Sequence, residues 1–319
     1  MNLPFFNCIW FIHYTLNYDI HGKDDETLRS FIGRISFLLV VAIAVGIGAH
    51  SLPARAASPS VKATWFWDTP QIQTDAEGIL DFMVASGVNA VYLQINRDVK
   101  PDAYKRFIRA AGEKGIEVQA LDGRASWGLE SGRPGIDAFL NWVELYQAKA
   151  AQEEKFSGIH VDIEPYASSF WNIEDAAHVA QWQQNVSHIV RRASDMGLKV
   201  EADLPFWLGN YSSADGTEPL GRWMIRQFDA VTILAYRNTA QAIVNAAIPG
   251  LTEAAGLGVP ATIAVETKAS SEGANISFYT KGLAAMDEQL AQAGSLLAEY
   301  GSFKGLAVHD YRGWKALKS

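Results

Sequence analysis

Beyond Ser58 the chain alternates short apolar runs with longer stretches whose apolar residues recur at three- and four-residue steps. Runs of the first kind read as buried strands, and stretches of the second kind as helices that lay one stripe on a sheet. Eight runs carry the strand signal, at 63–67, 90–95, 117–121, 158–163, 199–204, 230–235, 261–265 and 305–308. Helical periodicity lies between them, as at 75–85, 103–114, 136–151, 176–196 and 283–300. Within 176–196, Val179, Trp182, Val186, Ile189, Val190 and Ala193 form a single face. Gly87, Gly115, Gly197 and Gly301 each fall just past a helix, where a residue with positive φ ends it at little cost.

Eight strand–helix units in about 250 residues predict a (β/α)8 TIM barrel, a single domain over residues 57–319. An open doubly wound sheet is the alternative, but no Gly-x-Gly-x-x-Gly follows the first strand to support it. Barrel enzymes build their sites at the C-terminal strand ends, so the residues leaving each run become the candidates. They are Trp67 and Asp68; Gln94, Asn96 and Arg97; Asp122 and Arg124; Asp162 and Glu164; Asp203, Phe206 and Trp207; Tyr236 and Arg237; Glu266 and Lys268; and His309, Asp310 and Tyr311.

Composition narrows the class. The 319 residues are 49% hydrophobic and 19% charged, which fits a globular protein with a substantial core. With 27 basic against 35 acidic residues the net charge is -8, which argues against an electrostatic grip on nucleic acid or anionic lipid. The uncharged apolar run 35–49 follows Arg29 and Arg34 and precedes Ala54-Arg55-Ala56, the pattern of a secretory signal peptide cleaved near Ala56. An uncleaved anchor is the alternative, although a bilayer span needs about 20 apolar residues. Residues 1–56 are thus expected to be an N-terminal extension and signal. The one cysteine, Cys8, lies there, so the mature domain is expected to have no disulfide and no thiolate metal site.

The chemistry concentrates in Ser157-Gly158-Ile159-His160-Val161-Asp162-Ile163-Glu164-Pro165-Tyr166. Side chains alternate along a strand, so Asp162 and Glu164 share a face with His160 below them. Two carboxyl groups at the point where a proline ends the strand are costly as packing residues and useful as acid and base. The alternative is a buried salt bridge to Arg97 or Arg124. Glu266, at the end of the seventh run, is either a third acid of the site or the partner of Lys268 or Arg237. His160 reads as a hydrogen-bonded residue of the interior. Trp67, Trp207, Tyr236 and Tyr311 on the same rim as Asp68, Gln94, Asn96, Asp122, Asp203, Arg237 and His309 suit a sugar, whose ring face stacks on aromatics while its hydroxyls need polar partners. A metal hydrolase would want clustered histidines on an early strand, and the first strand offers only Trp65-Phe66-Trp67-Asp68, so no metal and no cofactor is expected.

The 158–164 stretch resembles the fourth-strand motif of family eighteen (chitinase-like) glycoside hydrolases, D-G-x-D-x-D-x-E. The resemblance implies that Glu164 protonates the leaving oxygen and that Asp162 positions a substrate acetamide. Leu234-Ala235-Tyr236 is similar to that family's sixth-strand Met-x-Tyr, which implies that Tyr236 supports the acetamide. Ser157 and His160 stand where the family has its first two Asp residues, Arg237 replaces an Asp, and His309 takes the place of a Trp. Glu164-Pro165 also resembles the Asn-Glu-Pro of barrel glycosidases that carry a nucleophilic Glu on strand seven, the place of Glu266, although Ile163 stands in place of the Asn. The chain as a whole resembles secreted bacterial barrel proteins assigned only generically to the glycoside hydrolases.

These observations lead to a secreted, periplasmic or surface-located glycosidase, expected to be a monomer that acts on a polysaccharide or oligosaccharide without nucleic-acid partners, touching the membrane only through its signal segment. Glu164 is the expected acid, and Asp162 or Glu266 the second carboxylate. A general acid needs partial burial and a negative neighbour to hold its proton near neutral pH, and either residue supplies the charge. A non-catalytic carbohydrate-binding or wall scaffold, or a wall amidase, is the alternative.

Overall fold

The computed structural model describes residues 60–318. The expected signal segment, its cleavage near Ala56 and Cys8 lie outside the described residues. Eight parallel strands close into a barrel in sequence order. They are β1 Val61–Phe66, β2 Ala90–Gln94, β3 Glu117–Asp122, β4 Gly158–Val161, β5 Lys199–Pro205, β6 Ala230–Leu234, β7 Ala261–Glu266 and β8 Phe303–His309. Each strand is followed by a helix: α1 Ala76–Ala85, α2 Pro101–Glu113, α3 Arg133–Lys149, α4 Ala176–Asp195, α5 Leu220–Gln227, α6 Ala240–Leu257, α7 Leu283–Leu297 and α8 Tyr311–Lys315. The (β/α)8 barrel predicted from periodicity is the fold. No helix among the described residues is long and apolar enough to cross a membrane.

Strand periodicity sorts the apolar residues into two cores. Outward positions such as Phe66, Leu93, Val161, Leu204, Ile233 and Val308 pack with the helix stripes, including Val179, Trp182, Val186, Ile189 and Ala193 of α4. Inward positions form a second cluster of Ala63, Trp65, Ala90, Tyr92, Leu121, Leu234, Ala264 and Ala307. Alanines among these inward positions leave the barrel room for the indole of Trp65 and the ring of Tyr92, which meet edge to face with centroids 5.0 Å apart.

Several element ends shift by a few residues from the sequence pattern, and the instructive departures have a local cause. The fourth strand ends at Val161, not at Ile163. Asp162 N still donates to Asp122 O at 3.2 Å, but β3 itself ends at Asp122 and Pro165 has no N–H, so the ladder goes no further. Gly87, Gly115 and Gly197 have φ of 71°, 76° and 67° as expected, whereas Gly301 is not in that region. The helix before Gly301 stops earlier, at Leu297, and Gly301 sits in the turn that leads into β8. Helix α6 runs through Pro249, a residue that usually interrupts such a pattern.

Candidate active site

Asp162 and Glu164 emerge just beyond β4 and stay on the side of the backbone that His160 faces inside the barrel. The approach is tight. A side chain at position 123 would collide with the backbone of Asp162, so only glycine lets the β3 end pass this close. Pro165–Ala167 then forms one turn of 3-10 helix that brings Tyr166 back over Glu164, and Tyr166 Oη donates to Glu164 Oε1 at 2.7 Å. The ring of Tyr166 is wedged edge-on against Trp207 at 4.8 Å, which fixes the direction of that bond. Asp162 has a buried Oδ1 with no hydrogen-bond partner. Burial first, then the charges of Asp203 and Glu164, push its pKa well above the usual carboxylate value against the pull of His309 and Lys268. Neither acid is paired with Arg97 or Arg124 among the described residues.

Below them lies a sealed polar layer. Asp203 is 3% exposed; its Oδ1 meets His160 Nε2 at 2.9 Å and its Oδ2 accepts from Trp65 Nε1 at 2.8 Å. Expected on the rim as a substrate contact, Asp203 instead has both oxygens occupied within the barrel. His160 stacks on Tyr92 with centroids 3.6 Å apart, and burial drives its pKa down to about 3, so the imidazole is neutral. Asp203 is itself pushed well above the ordinary range, by burial foremost, despite the Trp65 bond. Two neighbouring carboxyl groups thus both have pKa values raised above the ordinary carboxylate range, chiefly by burial.

Glu266 is drawn into a different network. Its Oε1 accepts the backbone N–H groups of Thr267 and Lys268, both at 2.7 Å, and its Oε2 meets His309 Nδ1 at 2.9 Å. The anticipated ion pair with Lys268 or Arg237 does not form: Lys268 Nζ binds Asp310 Oδ2 at 2.6 Å, and Arg237 Nη1 donates to Tyr236 O at 2.7 Å with its guanidinium over Phe206. Trp67 Nε1 lies 3.2 Å from His309 Nε2. An indole N–H only donates, so Nε2 carries a lone pair and Nδ1 carries the proton that bonds Glu266.

Burial is the largest influence on His309 and lowers its pKa. The hydrogen bond and charge of Glu266 outweigh it, Lys268 opposes and Asp310 assists, and the net value lies above the ordinary 6.5. Protonating Nε2 turns two donors toward each other and breaks the Trp67 bond. The indole N–H resonance of Trp67, assigned by its loss in Trp67→Phe, is therefore expected to titrate with a midpoint above 6.5. In Glu266→Gln that midpoint should fall, because burial then prevails. A midpoint indifferent to the substitution would refute the role given to Glu266.

The remaining candidates divide. Tyr236 sits close to the acids, its hydroxyl pKa raised by burial and then by Glu266, Asp162, Asp203 and Glu164, with its ring 6.0 Å from His309. Asn96 turns inward on its own loop, where Oδ1 accepts Asp98 N at 2.9 Å. Asp122 accepts Gly123 N at 2.9 Å, and burial raises its pKa against that bond and against Arg124 and Arg97. Asp68 is exposed and bonds the Gln71 amide, while Gln94 is half-buried at the end of β2. Tyr166 and Trp65 belong to the site although the strand-end pattern does not pick them out. The signal for Tyr166 was Glu-Pro-Tyr itself, since a proline one residue before an aromatic favours the tight turn that folds it back.

A concavity of about 740 Å³ opens on the same rim over β1 and β8, lined by Trp67, Asp68, Lys268, Asp310, Arg312 and Lys315 among others, but by neither Glu164 nor Asp162.

No protein-family model matches the sequence, and no curated protein does. Solved structures share the fold. A GH18 chitinase from Pseudoalteromonas aurantia superposes with a TM-score of 0.53 at 10% identity, over 79% of this chain and 94% of that one. A GH18 chitinase from Cycas revoluta in complex with (GlcNAc)3 gives 0.50 at 12% identity, over 80% and 96%. The exo-beta-1,4-mannosidase Op5Man5 from an Opitutaceae bacterium gives 0.52 at 13% identity, over 80% of this chain and 52% of that one. At such identities the likeness is one of fold.

Proposed function

We propose that the chain is a secreted glycoside hydrolase that cleaves a polysaccharide outside the cytoplasm, with Glu164 as general acid and Asp162 as the assisting carboxylate. The observation that carries this reading is the pair itself: Glu164, oriented by Tyr166, stands two residues after an Asp whose buried Oδ1 is unpartnered. An orphaned carboxyl oxygen is costly to a fold and useful to a ligand. Glu164 gives its proton to the departing glycosidic oxygen, and positive charge then grows at the anomeric carbon and ring oxygen. Asp162 meets that charge, at the sugar itself or through a substrate acetamide as the chitinase-like motif implies, and water then adds to the anomeric carbon while its proton returns to Glu164. Glu266 has both oxygens engaged and so acts on His309 rather than as nucleophile.

Tyr236 supplies a hydroxyl beside the acids, and Trp67 and Trp207 offer faces for sugar rings. The chitinases among the fold relatives, one holding (GlcNAc)3, make N-acetylated amino-sugar polymers the first substrates to try. The test is incubation of the full chain with a panel of wall and biofilm polysaccharides, reading new reducing ends and new amines in parallel. Reducing ends are the expected product. New amines without reducing ends would make it an amidase, and ligand retention without any product a scaffold.

A further inference from the structure

We infer that the 740 Å³ cleft beside the carboxylates is a subsite for an acidic sugar unit, one bearing a carboxylate or sulfate. The inference rests on the glycosidase reading for the ligand being a saccharide, and adds which saccharides the chain selects. The volume is that of an ordinary ligand site. Its charge is unusual for this protein. Lys268, Arg312 and Lys315 face Asp68 and Asp310 across the lining, which leaves it positive in a chain of net charge -8.

Only one of the three cations is paired directly with a carboxylate, while Lys315 feels the charge of Asp75 at longer range. Lys268 binds Asp310 at 2.6 Å, whereas Arg312 and Lys315 have no carboxylate partner among the described residues. Lys315 is nevertheless held in place: Nζ donates to Tyr311 Oη at 3.0 Å and lies 5.4 Å from that ring's centroid, and Tyr311 is buried against Phe66 at 4.9 Å. An ammonium fixed on a rigid aromatic support, next to an unpaired guanidinium fork, is prearranged for an anion. Solvated surface lysines need no such support.

The cleft also adjoins the reaction site. Trp67 lines it and bonds His309, and Lys268 follows Glu266 by two residues with a charge that reaches Asp162. A chain whose acid occupies the cleft would lay its next units toward Glu164. It would also keep its negative charge away from the crowded acids at the barrel mouth, where like charges repel.

Binding is to be measured by calorimetry in the full chain carrying Glu164→Gln, so that no turnover is needed and a failure of cleavage by the native chain does not obscure the result. The probes are a hyaluronan tetrasaccharide for carboxylate, a chondroitin sulfate tetrasaccharide for carboxylate with sulfate, and chitotetraose as the neutral control. The acidic probes are expected to bind about tenfold tighter than chitotetraose at low salt, with the gap closing at high salt. Arg312→Ala and Lys315→Gln should each weaken acidic probes about fivefold and leave chitotetraose unchanged. Arg312→Glu, an exposed site where folding is not at issue, should weaken them further. Equal affinity for chitotetraose, or acidic-probe binding untouched by Arg312→Glu, overturns the inference. Preference between the two acidic probes identifies the anion.

Discussion

Glu164→Gln is expected to lower kcat by about 10²–10⁴-fold, the range general acid catalysis contributes, while KM and fold are kept. The substitution is chosen for its geometry. Gln retains an oxygen where Glu164 Oε1 accepts from Tyr166 at 2.7 Å, so the turn over Pro165 and the packing of Tyr166 on Trp207 have no cause to move. What is lost is the transferable proton. The measurement is reducing-end release at saturating and limiting substrate, with thermal unfolding of the same preparation. A fall in kcat with an unchanged melting midpoint assigns the proton to this residue. Undiminished turnover would remove Glu164 from the mechanism altogether.

Asp162→Asn should separate activity from stability in opposite directions. Losing the carboxylate that meets the developing positive charge is expected to cost about 10²–10³-fold in kcat, as removal of one preorganised stabilising group does elsewhere. Stability should rise at neutral pH. The folded pKa of Asp162 lies above its unfolded value because burial, and then Asp203 and Glu164, disfavour the charged form. The folded chain therefore binds the proton more tightly, and stability falls as pH climbs from the ordinary carboxylate pKa to the raised one. Below that window both states are protonated and the penalty vanishes. Asparagine cannot ionise, so the melting midpoint of the variant should exceed that of the native chain at neutral pH and converge with it in acid. A variant less stable at neutral pH, or a gap that does not change with pH, would contradict the raised pKa of Asp162.

What could be read without coordinates was whatever depends on near neighbours in the chain. Alternation with period two and stripes with period 3.6 specify strand and helix locally, and eight such units in order leave the closed parallel barrel as the economical way to bury them. Because every C-terminal strand end then faces one rim, the candidate residues of the site could be gathered before their geometry was known. The pairing of Asp162 with Glu164 belongs to this class, since two residues of separation suffice. Tyr166, which the turn at Pro165 folds back over Glu164, carries a signal of the same local kind, but the candidate list drawn from strand ends does not include it.

Partnerships across the barrel belong to the other class. Trp65 reaches Asp203 across the barrel and Trp67 reaches His309 across the β1–β8 seam only because closure brings distant strands together, whereas His309 meets Glu266 as its register partner on the adjacent strand β7. No local pattern carries those choices. Lys268 and Glu266 are two residues apart, yet one binds Asp310 and the other His309, since the chain turns between them and presents each to a different neighbour. The sequence by itself therefore determined the barrel and the ring of residues at its mouth, through periodicity. Which of those residues are sealed inside, which are tied to one another and which remain free for a ligand was decided by tertiary structure, because burial and hydrogen-bond satisfaction are properties of the closed fold.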